Sequence, residues 1–173
     1  MKKIIISLGL ILVWYLQINA QTVETNCLSR NELKLDVAYI LAFMVKVEYE
    51  YLLNDWSSVG AVGFINTLGF LDNNYYPLYQ TQLLGFYRLF LGNKPAAGLF
   101  FEGNTGLTSG YRSNYMKNPS GKYFAPCIGI ALGWKYVSQK NLVFDLFLGF
   151  GKIYGNSGPE NYPRLGICFG KRF

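Results

Sequence analysis

The stretch VKVEYEY, residues 45–51, decides the fold. Val45, Val47, Tyr49 and Tyr51 share one parity, and Lys46, Glu48 and Glu50 share the other. A period of two is the mark of a β-strand with two unlike faces, whereas a helix would scatter both sets around its axis. The pattern recurs on both sides of this stretch. In NELKLDVAYIL (31–41), Leu33, Leu35, Val37, Tyr39 and Leu41 oppose Glu32, Lys34 and Asp36. In CIGIALGWKY (127–136), Ile128, Ile130, Leu132, Trp134 and Tyr136 oppose Cys127, Gly129, Ala131, Gly133 and Lys135. In LVFDLFLGF (142–150), Leu142, Phe144, Leu146, Leu148 and Phe150 oppose Val143, Asp145, Phe147 and Gly149. The final run sets Leu165, Ile167, Phe169 and Phe173 against Gly166, Cys168, Gly170 and Arg172, with Lys171 the one charge on the apolar side.

Three further segments complete a set of eight strands: SVGAVGFI (58–65), YQTQLLGFYRLFL (79–91) and GLFFEGNTGLT (98–108). Gln82 with Arg88, and Glu102 with Asn104, mark polar sides, while the pattern leaves the faces of 58–65 and 98–108 open. Eight is an even number, as closed antiparallel outer-membrane barrels require. Tight turns, LNDWS, GNKPA and VSQKN, alternate with long connections at 66–78, 109–122 and about 154–162. That is the asymmetry of short periplasmic turns and long outer loops, broken only by a short first outer loop near Ala42, Phe43 and Met44. The expected architecture is all-β, an eight-stranded antiparallel up-and-down transmembrane β-barrel over residues 31–173.

Ahead of it, MKKIIISLGLILVWYLQINA has a basic start, an apolar run from Ile4 to Leu16 and small Ala20 before Gln21. This is the pattern of a secretory signal peptide, residues 1–20, followed by a short N-terminal segment, 21–30. The apolar run is shorter than the ~20 residues of a membrane-spanning helix. Cys27 lies too far from that run, after VETN, for a lipoprotein acylation site. No later segment could cross a membrane as a helix.

Alternation alone does not say whether the apolar face meets lipid or a ligand. The competing reading is a secreted, soluble lipocalin-like barrel with an apolar cavity. Charge density decides between them, because a soluble exterior should be densely charged. Here each polar face carries only one to three charges among Gly, Ala, Cys and aromatic residues. Small residues in that number suit the crowded interior of eight strands. Tyr39, Tyr51, Trp134, Tyr136 and Tyr154, near strand ends, fit interfacial girdles. The inward charges are then Glu32, Lys34, Asp36, Lys46, Glu48, Glu50, Arg88, Glu102, Lys135, Asp145 and Arg172. Five basic and six acidic groups can nearly neutralise one another, and desolvated charges must do so. They read as a structural plug, since eight strands leave no useful aqueous channel.

The chain of 173 residues contains no His, which removes the Ser-His and Cys-His arrangements and the usual zinc sites. Glu48 and Glu50 lie two apart on one strand face, but Lys46 explains them as a charge cluster. GFGKIYGNSG resembles a phosphate loop only superficially, because no helix follows. Ser109 and Ser113 would have to act as nucleophiles without His. The reading is therefore non-enzymatic, with no cofactor and no metal site. Three cysteines are an odd number for an oxidising compartment. Cys127 and Cys168 face inward on strands six and eight, where they could pair across the barrel or serve as small lumen residues. Cys27 could pair with another molecule or stay free.

The formal net charge of +6 falls to +4 once Lys2 and Lys3 leave with the signal segment, too little and too scattered for a nucleic-acid partner. The outer connections carry LDNNYYPLY and YRSNYMKNPSGKY. Their Tyr content marks either a contact surface or the headgroup level. Arg112, Lys117 and Lys122 are available for anionic sugar or lipopolysaccharide groups.

The ending YPRLGICFGKRF, with Phe169 and Phe173 on alternating positions, resembles the C-terminal signal by which barrel assembly machinery recognises outer-membrane substrates. Together with NELKLDVAYIL, VEYEYLLNDWSSVG and YRLFLGNKPAAGLFFEGNTGL, it resembles a Bacteroidetes-type domain-of-unknown-function family of small outer-membrane β-barrel proteins. The resemblance covers roughly residues 30–173. It implies an eight-stranded barrel and brings no catalytic or binding residues; the expectation from all these observations is a monomer in the outer membrane of a Gram-negative bacterium, in contact with lipid and lipopolysaccharide. The role expected on this basis is structural or surface contact of an adhesion-like kind.

Overall fold

The computed structural model describes residues 29–68, 77–91, 94–111, 121–155 and 159–173. Eight strands follow one another around a closed, all-antiparallel, up-and-down barrel. They are β1 (Asn31–Asp36), β2 (Met44–Asn54), β3 (Ser57–Asn66), β4 (Thr81–Phe90), β5 (Gly98–Tyr111), β6 (Lys122–Val137), β7 (Leu142–Ile153) and β8 (Asn161–Arg172). Closure is made by β1 on β8, with Leu33 opposite Lys171 and Leu35 opposite Phe169. The C-terminal residue is tied into the wall. The Phe173 amide donates to the Asn31 carbonyl at 2.8 Å, and the Asn31 amide donates back at 3.0 Å. Both ends of the described wall thus lie beside the tight turns β2–β3, β4–β5 and β6–β7.

Alternation sets the two surfaces. Leu33, Tyr49, Ile128, Ile130, Leu148, Phe150, Ile167 and Phe169 are exposed, while the residues between them on each strand point inward and are buried. The faces left open by the pattern now resolve. On β3, Ser58, Val62 and Phe64 turn in and Val59 and Ile65 turn out; on β5, Phe100, Glu102 and Asn104 turn in and Leu99 and Phe101 turn out. Tyr51, Trp134, Tyr136 and Tyr154 stand exposed near strand ends, Trp134 and Tyr136 stacked with ring centroids 6.0 Å apart.

One expected strand segment is not a strand. After Asp36 the chain turns into a five-residue helix, α1 (Val37–Leu41), so Val37, Tyr39 and Leu41 do not continue the outer face of β1. The physical reason is the cap. Asp36 is extended, and its Oδ1 accepts from the Ala38 amide at 3.2 Å, which meets one of the orphan amides of a helix start. Tyr39 therefore leaves the expected girdle. Its ring packs edge-on against Phe64 at 5.4 Å and lies 4.4 Å from the Lys46 ammonium. The expected loop limits also move. β5 runs to Tyr111, β6 begins at Lys122 and β8 begins at Asn161, so the connections expected at 109–122 and 154–162 are shorter.

Because β1 is short, the wall is incomplete on one side. β1 pairs with β8 only as far as Asp36 opposite Cys168, and the rest of β8 toward Asn161 has no β1 partner. Side chains serve that edge instead. Asp36 Oδ1 accepts from the Ile167 amide at 3.3 Å, and the Lys46 ammonium donates to the Leu165 carbonyl. Pro163 occupies the next position along the same edge, where a residue without an N–H leaves no donor unmet.

Candidate functional site: the sealed lumen and its open mouth

All eleven charged residues expected inside the barrel are buried there. The period of two explains why, since each occupies an inward position on its strand: Glu32, Lys34 and Asp36 on β1, Lys46, Glu48 and Glu50 on β2, Arg88 on β4, Glu102 on β5, Lys135 on β6, Asp145 on β7 and Arg172 on β8. The structure adds one more. Arg164, 2% exposed, shares the inward parity of Gly166, Cys168, Gly170 and Arg172. It escaped the sequence reading because Pro163 and the long connection before it suggested that β8 starts later; extending the parity two residues back would have found it. With Arg164, the buried charges among the described residues are six acidic and six basic, so the formal charge of the lumen is zero.

Ten of these ions meet in one continuous network, and Lys46 with Asp36 forms a separate pair beside it. The Lys34 ammonium reaches Glu48 at 2.8 Å and Asp145 at 2.6 Å, and also bonds Glu50. The Arg88 guanidinium reaches Glu50 at 2.7 Å, Glu48 at 2.9 Å, Asp145 at 2.9 Å and Glu102 at 2.8 Å. Lys135 holds Glu50 at 2.6 Å and Glu32 at 2.9 Å, and Arg172 holds Glu32 at 2.7 Å. Lys46 pairs with Asp36 at 2.8 Å. Arg164 takes Glu102 side-on, Nε to Oε1 at 2.8 Å and Nη2 to Oε2 at 3.1 Å. Such a network is tolerated only because each charge faces an opposite one, since an unpaired ion in a dry interior costs several kcal/mol.

Aromatic residues pack above and below the ions. Phe86 and Phe100 lie 4.4 and 4.5 Å from the Arg88 guanidinium, and Phe147 lies 4.5 Å from that of Arg164. One apolar cluster, with Leu52, Phe90, Ala96, Phe100 and Phe147, closes the lumen toward the tight turns. Another, with Val62, Leu84, Phe86, Tyr123 and Ile153, fills it toward the long connections. Side chains thus fill the interior, as eight strands require. Glu48, Glu50 and Asp145 place carboxylate oxygens within 4.8 Å of one another, a spacing that could hold a cation. Lys34 and Arg88 already stand between them, so the trio serves as their counter-ions.

Cys127 and Cys168 are buried and free, in different clusters: Cys127 sits among the Leu84 and Tyr123 side chains, and Cys168 Sγ lies 3.7 Å from Asp36 Oδ2. The small-lumen-residue reading is the one realised. Cys27, Arg112, Lys117 and Ser113 lie outside the described residues. Lys122 is exposed at the start of β6, with its ammonium 5.4 Å from the Tyr111 ring. Phe169 and Phe173 are exposed on the outer face, where Phe169 packs on Phe144 at 4.7 Å.

The long-connection end keeps a hollow of about 260 Å³ bounded by α1, β2, β3, β4, β8 and residues 77–79. Burial, and after it the Asp36 carboxylate, pushes the Tyr39 phenol above its ordinary value, and burial does the same to Tyr79. Both therefore remain hydroxyl donors at neutral pH; Tyr79 donates to the Asn161 carbonyl. Comparison of the chain with family models, with curated proteins and with solved structures returns no match.

Proposed function

We propose that this protein is an outer-membrane β-barrel of a Gram-negative cell envelope, exported by residues 1–20 and non-enzymatic. Its lumen is closed by its own ion pairs, and its role is structural or one of surface contact through the long connections. One observation carries the reading: exposed Leu, Ile, Val and aromatic side chains ring the outside, while twelve charged side chains are buried inside. A soluble barrel exposes the reverse, since single exposed apolar residues are ordinary but a continuous apolar belt is not. The same inversion favours lipid over the lipocalin-like alternative, whose ligand needs an apolar cavity. Exposed aromatics near strand ends support headgroup contact. The resemblance of the ending YPRLGICFGKRF to an assembly signal, and of the chain to Bacteroidetes-type barrels, belongs to the same proposal. So do lipopolysaccharide as a neighbour and the barrel assembly machinery as a partner during biogenesis.

The test is fractionation of the native envelope followed by gel migration with and without boiling. Recovery in the outer membrane with a heat-dependent shift is the expected result. Recovery as a soluble periplasmic or secreted species would refute it.

A further inference from the structure

We propose that a groove on the outer wall between β4 and β8 holds one acyl chain of an outer-leaflet lipid whose phosphate rests on the Lys152 ammonium, a site that depends on the outer-membrane reading of the chain. The first observation is a pair of glycines with no packing reason. At Gly129, Gly149 and Gly151 an added Cβ would come closer than 3.0 Å to a neighbour, so the surroundings forbid a side chain. At Gly103 it would meet nothing within 4 Å, and at Gly85 only two main-chain oxygens at 3.9 and 4.0 Å. Glycine weakens a strand interior and, where no neighbour requires it, marks the close approach of something from outside. Both glycines face outward, and with Thr105 they floor a groove of about 820 Å³ walled by Tyr87, Ile128, Ile130 and Phe150.

The second observation is direction. One register row runs through the groove, with Gly85 opposite Thr105, Thr105 opposite Ile128 and Ile128 opposite Lys152. Lys152 stands beside the last residue of β7, at the long-connection end, and Gly85 stands midway along β4, so the row descends obliquely from the outer end into the middle of the wall. Three interstrand steps of ~4.8 Å make about 14 Å. One leaflet of a ~30 Å hydrocarbon core offers a chain about 15 Å. The third observation is charge. Lys152 is exposed, and among the described residues it is the one charged group lining the groove and has no carboxylate partner; its ammonium lies 6.0 Å from the Tyr154 ring. Asn161, opposite Lys152, adds a polar side chain at the same end. The floor adds no free donor, because the Thr105 hydroxyl is spent on the Cys127 carbonyl at 3.0 Å. A cation at the outer end of an apolar groove complements an anionic headgroup that carries a hydrocarbon chain.

The experiment titrates dimyristoyl phosphatidate into the folded, detergent-purified protein and reads lipid adducts by native mass spectrometry, with dimyristoylglycerol as the phosphate-free control. Phosphatidate should saturate at one lipid per barrel and bind about tenfold more tightly than the control, the worth of one hydrogen bond to a charged group. Lys152→Gln should remove that preference. Gly103→Leu fills the floor where an added Cβ meets nothing within 4 Å, and with its heat-dependent gel shift intact it should abolish saturable binding of both lipids. Equal affinity for the two lipids would overturn the proposal, as would phosphatidate binding that survives Gly103→Leu, a lipid-free dimer that Gly103→Leu dissociates, or no saturable binding at all. Any of these in a barrel that still fractionates with the outer membrane strikes this site alone, whereas recovery as a soluble species strikes the outer-membrane reading with it.

Discussion

Arg88→Met is the sharpest perturbation the structure offers. The methionine fits between Phe86 and Phe100, so the change removes little volume and mainly removes charge. Arg88 faces Glu48, Glu50, Glu102 and Asp145 with no exposure to solvent. Deleting it leaves five buried cations against six carboxylates. Removing one member of a buried ion pair costs about 3–5 kcal/mol, because its partner stays dry and uncompensated. With a urea dependence of roughly 2 kcal/mol per molar, the unfolding midpoint should fall by about 2 M. The assay is urea unfolding of the barrel in lipid vesicles, read by tryptophan fluorescence and by loss of the heat-dependent gel shift. The double variant Arg88→Met with Glu50→Gln restores five against five. It leaves Lys34 on Asp145 and Glu48, Lys135 on Glu32, and Glu102 on Arg164. We predict that it recovers at least half of the loss, a coupling of about 1.5–3 kcal/mol. A double variant no more stable than the sum of its two single changes would refute the view that charge balance holds this lumen together.

Other expectations follow from position on the wall. A Cβ at Gly149 would meet the Ile130 carbonyl and the Ala131 backbone at 2.1 and 2.6 Å, whereas one at Gly103 meets nothing within 4 Å. Gly149→Ala should therefore cost about 1–3 kcal/mol in the same urea titration and Gly103→Ala almost nothing. Leu148, 68% exposed midway along β7, tests lipid contact: Leu148→Arg should cost about 2–4 kcal/mol in a bilayer if the belt is lipid-facing, and equal stability of the two proteins would argue for a watery exterior. In a Cys27→Ser background, Cys127 and Cys168 should resist a maleimide reagent in the folded protein and react once urea unfolds it, and labelling before unfolding would contradict their burial. Phe173→Ala should lower the amount assembled in cells while leaving refolding into detergent unchanged, because its side chain is exposed and its ladder bonds are made by backbone atoms. Equal amounts in the cell envelope would refute the proposal that it is part of an assembly signal.

Much of this protein was legible without coordinates because a strand writes its two faces into alternate letters. VKVEYEY alone separates Lys46, Glu48 and Glu50 from the residues that face outward, and the same arithmetic carried over eight segments sends eleven charges inward. Failures came where local pattern is ambiguous. VAYIL has no polar position to contradict the parity of NELKLD, but the Asp36 cap draws it into helix, and this can be recognised only once β8 is seen to need Asp36 and Lys46 along its unpaired edge. Arg164 was overlooked for a related reason: a proline within a run usually marks an edge or a break, and here Pro163 marks an edge inside a closed barrel. Face is therefore a property of the sequence wherever one parity carries the charges, whereas β3 and β5, whose two sides differ less, needed the structure to say which side turns in. Partnership is not such a property. That Lys34 meets Asp145 across 111 residues, that Arg88 gathers four carboxylates, and that Arg164 takes Glu102 side-on depend on the stagger with which eight strands close, a long-range geometry no short stretch contains.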